Sequence, residues 1–107
     1  ITAGMARLAK AALDPYTYTT EKPPKVLIAA PAPLGEASVH SPEEAVAREK
    51  SKALAPLYRD LAKNLGCGFI DAGAVASAAE GEGVHLDARA HAALAEAMRV
   101  KVLEMLA

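Results

Sequence analysis

Two short apolar runs, each bounded by residues that break regular structure, limit what this chain can build. Residues 25–30 read Lys-Val-Leu-Ile-Ala-Ala, with Pro24 before them and Pro31 after. The run lacks in/out alternation, so it predicts a strand buried on both faces. Residues 68–71, Gly-Phe-Ile-Asp, predict a second short strand. Helical patterns lie before, between and after them. That order implies parallel strands joined by a right-handed crossover. A strand buried on both faces needs neighbours on its edges and helices above and below. Two strands do not meet that need. The pattern therefore predicts part of an α/β domain, a three-layer sandwich around a parallel sheet. The alternatives are a very small α/β domain, or a homo-oligomer in which two copies pair their strands.

The helical patterns are specific. Residues 1–13 place Ile1, Met5, Leu8 and Ala12 on one face, and Asp14-Pro15 ends the helix. Residues 16–24 predict a loop closed by Pro23-Pro24, and residues 31–40 a second, irregular loop. Ser41, Pro42 and Glu44 form a capping-box start, and Gly66 a stop. Between them Leu54, Leu57, Tyr58, Leu61 and Leu65 predict a buried stripe. Pro56 lies inside this helix and predicts a kink or a split. Residues 72–79 predict one helical turn, and residues 80–83, Glu-Gly-Glu-Gly, a flexible acidic loop. Asp87 caps a last helix to Leu106, with Leu94, Met98, Val102 and Met105 facing inward.

Composition narrows the function. The chain is 52% hydrophobic, too apolar for a disordered segment, and its 107 residues suffice for one small domain at most. Twelve basic against thirteen acidic residues leave no footprint for a polyanion, so nucleic acid is not an expected partner. No apolar run approaches the roughly 20 residues of a membrane span, so no membrane is expected either. Cys67 is the single cysteine and cannot form an internal disulfide, which fits a reducing, cytoplasmic compartment. Ile1 opens the chain without the features of a signal peptide, which predicts a chain that begins inside a longer one or has lost a segment.

Chemistry concentrates near His85, in Glu82-Gly83-Val84-His85-Leu86-Asp87. Loops after parallel strands carry ligand sites in open α/β sheets. A carboxylate three residues before a histidine, across a glycine, can accept from Nδ1–H. That leaves Nε2 as a general base. An exposed histidine in an ordinary acidic loop is the plain alternative, and Asp71 or Glu80 are rival orienting acids. His91 falls on or beside the apolar face of the last helix, where a partly buried, hydrogen-bonded histidine is expected. His85 and His91 do not match a zinc spacing, and no metal is expected. The Pro-rich loop 31–35 lacks the glycines of a phosphate cradle; it can line an apolar pocket or serve as a rigid connector. Ser38, Ser41, Ser51 and Ser77 all lack the motif of an activated nucleophile. The chain thus offers a base without a nucleophile.

Three stretches carry a resemblance: Pro24-Lys-Val-Leu-Ile-Ala-Ala-Pro-Ala-Pro-Leu34, Phe69-Ile-Asp-Ala-Gly73, and Glu82-Gly-Val-His-Leu-Asp-Ala-Arg-Ala-His91. Together they closely resemble the C-terminal half of SGNH (GDSL-type) hydrolases, nearest the arylesterase-like branch. The resemblance covers nearly the whole chain. It implies a flavodoxin-like sandwich, with residues 1–107 forming the C-terminal part of one hydrolase domain. It implies ester hydrolysis with His85 as general base and Glu82 as the acid of the triad, where the family usually has Asp. Serine nucleophile and oxyanion hole would come from the N-terminal half, the expected partner, with a small ester as substrate. Pro31, Pro33 and Leu34 would help shape the substrate pocket, and no cofactor is implied. A non-catalytic α/β binding or interaction module on the same scaffold is the alternative, since fold does not imply function.

Overall fold

The computed structural model describes residues 1–14 and 24–107, so the loop predicted over residues 16–24 lies, apart from Pro24, outside them. The elements are α1 (Thr2–Leu13), β1 (Leu27–Ala30), α2 (Pro42–Leu65), β2 (Gly68–Asp71) and α3 (Ala88–Leu106), with 3-10 turns at Glu36–Ser38 and Ala72–Ala74. β1 and β2 pair in parallel, Leu27 opposite Gly68 and Ala30 opposite Asp71. Three helices around a two-stranded parallel sheet form part of a flavodoxin-like α/β sandwich.

Local signals set the boundaries of α2. The Ser41 hydroxyl accepts from the Glu44 N–H at 3.2 Å. The Glu44 carboxylate reaches back to the His40 N–H at 2.6 Å, one residue beyond the usual capping-box partner. Gly66 ends the helix in the left-handed region at φ 71°, where a side chain would be strained. Pro56 does not split the helix: α2 runs unbroken over 24 residues. Pro56 and Lys52 are both exposed, so the Lys52 carbonyl that loses its partner is left to water.

The core joins α1 and α2 to one face of β1, through Ala9, Ile28, Ala30, Tyr58 and Ala62. Alanines bring both helices close to the strand, and this fixes their rotation. α1 turns Met5 and Ala9 inward, leaving Ile1 83% and Leu8 68% exposed, against the predicted face. On α2 the innermost residues are Tyr58 and Ala62, with Leu54, Leu61 and Leu65 packed against the core; Leu57 turns outward, 48% exposed. On α3, Leu94, Met98 and Met105 are half-buried, while Val102 is exposed rather than inward-facing.

The prediction of a strand buried on both faces holds for one face only. Ile28 and Ala30 are buried, but Leu27, Ala29 and all four residues of β2 are half-buried. α3 meets this region near its end: the Lys25 ammonium donates to the Met105 carbonyl, and Met105 lies against Gly68. The accessible surface, 7305 Å², exceeds the roughly 5,600 Å² of a compact monomer of this mass. No helix among the described residues is long and apolar enough to cross a membrane.

Candidate active site

Parallel pairing puts the C-terminal ends of β1 and β2, Ala30 and Asp71, side by side, so the loops that follow emerge at one edge of the sheet. The Asp71 carboxylate accepts from the Gly73 N–H at 2.9 Å and starts the 3-10 turn. In the first loop Pro31 is exposed, while Pro33 and Leu34 are half-buried. Pro33 rests on Gly73, and the Leu34 backbone is bonded to α2. Gly35 is the residue of this loop tied to the histidine turn, its N–H donating to the Gly83 carbonyl at 2.8 Å.

Residues 79–85, which include the acidic loop the sequence predicts, form a hydrogen-bonded turn. The Gly83 N–H donates to the Ala79 carbonyl at 2.7 Å, and the Ala79 N–H to the His85 carbonyl at 2.7 Å. Gly83 has φ 72°, which only glycine adopts without strain. The turn brings Glu82 and His85 together. Glu82 Oε2 lies 2.7 Å from His85 Nδ1. Its Oε1 accepts the Val84 N–H at 3.0 Å and the His85 N–H as well. A carboxylate facing Nδ1 keeps the proton there and leaves the lone pair on Nε2. Nε2 has no hydrogen-bond partner among the described residues. The His85 side chain is 83% exposed and that of Glu82 46%. The His85 ring, then the backbone N–H groups of His85 and Val84, hold the Glu82 carboxyl below the usual carboxylate range.

The other candidates lie elsewhere or are occupied. Asp71 is engaged with Gly73, and Glu80 makes no hydrogen bond to His85 among the described residues. His91 is exposed, not partly buried as expected, because Ala90 and Leu94 take the inward positions beside it. His91→Ala is therefore expected to change stability by no more than about 0.5 kcal/mol. Thermal unfolding checks this, and a loss above about 1 kcal/mol would contradict it. Ser38 donates to the Gly35 carbonyl at 2.8 Å, Ser51 to the Arg48 carbonyl at 2.6 Å, and Ser41 caps α2. Burial pushes the Cys67 thiol up, which disfavours the thiolate, the nucleophilic form. No group of three His, Cys, Asp or Glu residues among those described could hold a metal ion. Two shallow cavities border the turn. One, about 490 Å³, is lined by residues 75–80 and the start of α3; the other, about 440 Å³, by Gly35, Glu36, Ala78 and Gly83. His85 lines neither. The Gly35–Gly83 junction and the second role of Glu82 on the backbone were not read from the sequence. The one sequence signal for them is a glycine between acid and histidine.

The loops after two parallel strands thus meet at one edge of the sheet, and one of them carries an acid–histidine pair. No family model matches the sequence, and no curated protein does. Solved structures do. An Agrobacterium tumefaciens protein named as an arylesterase is 44% identical over 96% of this chain, with TM-score 0.80. A carbohydrate acetylesterase family member from Sinorhizobium meliloti is 39% identical over 98%, with TM-score 0.86. The M. smegmatis aryl esterase is 29% identical over 97%, with TM-score 0.81. The chain spans about half the length of each, 50%, 51% and 50% respectively. The chain is thus similar to arylesterase-like SGNH hydrolases and matches the C-terminal half of such an enzyme.

Proposed function

We propose that this chain supplies the general base, His85, and its orienting acid, Glu82, to a serine esterase. Residues 1–107 then form the C-terminal part of one hydrolase domain, and the nucleophilic serine and oxyanion hole lie on the N-terminal half. The observation that carries this reading is the clasp of Glu82 on His85. One oxygen orients the ring while the other fixes the backbone on which the ring stands. In the reaction His85 Nε2 takes the proton from serine as its oxygen attacks the ester carbonyl. It then returns that proton to the departing alcohol. Water repeats the cycle on the acyl-enzyme. Glu82 keeps the tautomer and stabilises the imidazolium. The oxyanion donors supply the largest single stabilising effect. The scheme uses no metal or organic cofactor.

The esterases similar to this chain support a small ester as substrate, an aryl or carbohydrate acetate. Pro31, Pro33 and Leu34 offer an apolar wall at the same sheet edge, with no backbone donor at the prolines. The half-domain reading has its own support: Leu27 and Ala29 are half-buried, and Val100, Leu103 and Leu106 are exposed. Expressed alone, residues 1–107 are expected to associate or unfold without cooperativity and to leave an aryl acetate intact. Mixing with the N-terminal half should restore cooperative unfolding and hydrolysis. A monomeric, cooperatively unfolding chain on its own would overturn the half-domain reading. A reconstituted protein that folds but hydrolyses no ester would favour a binding module.

A further inference from the structure

Arg48, on α2, reaches both sides of Gly35. Its Nε donates to the Leu34 carbonyl at 3.1 Å, and its Nη2 lies 3.9 Å from the Glu36 carboxylate. Ser51, one turn further along α2, accepts the Leu34 N–H at 3.0 Å. The helix thus holds both backbone polar groups of Leu34, and Gly35 is presented to Gly83. Backbone meets backbone at that junction. A Cβ on Gly83 would come within 2.6 Å of the Ser38 nitrogen, and one on Gly35 within 3.2 Å of the Gly83 Cα. No flexible side chain is there to absorb a shift. Gly83 is also the residue between Glu82 and the Val84 and His85 N–H groups that Glu82 grips.

We propose that Arg48 and Ser51 are positioning residues: through Leu34 and the Gly35–Gly83 hydrogen bond, they fix the turn that carries Glu82 and His85. The proposal rests on the reading of His85 as general base. The contact with Glu36 is exposed on the glutamate side and contributes little. The two part-buried bonds to Leu34 carry the link. Displacing a reacting group by about 1 Å can cost about 10²-fold in rate, even from a remote substitution.

The test uses the full-length protein and one activated aryl acetate. It measures kcat, KM and Tm for Ser51→Ala, Arg48→Met, Arg48→Lys and Gly83→Ala, with His85→Ala as reference. Ser51→Ala and Arg48→Met together should lower kcat at least about tenfold, with KM changing by no more than about twofold. Arg48→Lys should keep most of kcat, because an ammonium still donates to the Leu34 carbonyl. Gly83→Ala should lose about 10²-fold. If that variant does not fold, the two helix substitutions decide the matter. Unchanged kcat in the folded double variant overturns the proposal. So does a change confined to KM, which would give the loop a role in the pocket alone, or a fall in Tm and kcat that lysine does not rescue. Full turnover in His85→Ala would instead remove the reading of the base, whatever the Arg48 variants do.

Discussion

Replacing His85 by alanine in the intact protein is expected to lower turnover on an activated acetate by about 10⁴- to 10⁶-fold, with little change in Tm. The range follows from the removal of a triad histidine in a serine hydrolase, where nucleophile, base and acid act as a unit. It corresponds to about 5–8 kcal/mol of lost transition-state stabilisation. Stability should hardly move, because the ring is 83% exposed and its side-chain partner Glu82 keeps its bonds to the backbone. The turn itself rests on backbone bonds among Ala79, Gly83 and His85, and these survive the substitution. Steady-state kinetics beside thermal unfolding separate the two effects. A His85→Ala protein that retains more than about a tenth of wild-type turnover would mean that another group takes the serine proton.

Glu82→Gln is expected to cost up to about 10⁴-fold in turnover, the scale set by the analogous acid-to-amide change in serine proteases. The geometry makes the substitution sharp. Glutamate uses Oε1 for the Val84 and His85 N–H groups and Oε2 for the ring. Glutamine has one carbonyl oxygen. If it keeps the backbone bonds, its amide faces Nδ1 as a donor and selects the tautomer with the proton on Nε2, which is no longer a base. If it accepts from the ring, the turn loses its clasp. Glu82→Asp should stay within about tenfold of wild type, because an aspartate carboxylate readily caps the N–H groups two and three residues on. Rates from about pH 6 to 9 decide between these outcomes. A glutamine variant with wild-type turnover throughout would remove Glu82 from the site.

The acid limb of stability provides a second check on Glu82. Its folded pKa is depressed, so folding favours the ionised carboxylate. The stabilisation is fully present above the ordinary value of 4.5 and is lost as pH falls through the lower folded value. The glutamine variant has no carboxyl to titrate, so this contribution to acid sensitivity should be missing from it.

The N-cap at Ser41, the stop at Gly66, the cap at Asp87 and both strands were legible in the residues themselves. Each depends on chemistry within a few positions: a hydroxyl or carboxylate beside free N–H groups, a glycine at a left-handed turn, an apolar run between prolines. The meeting of Glu82 with His85 belongs to the same class, since three residues and a glycine suffice to close it. Helix rotation is different. Leu8 and Leu57 have the spacing of a buried face and are exposed, because Ala9 on α1 and Ala62 on α2 let those helices seat closely on β1, and Val102 on α3 is exposed as well. His91 follows the same logic: periodicity offered it a place near the core, and packing gave that place to Ala90 and Leu94. Pro56 stayed inside one helix because its exposed side lets water replace a lost bond. The link from α2 through Leu34 and Gly35 to Gly83 joins residues far apart in the chain, and no local pattern encodes it. Contacts of that range exist only once the parallel pairing of β1 and β2 has brought two loops to one edge.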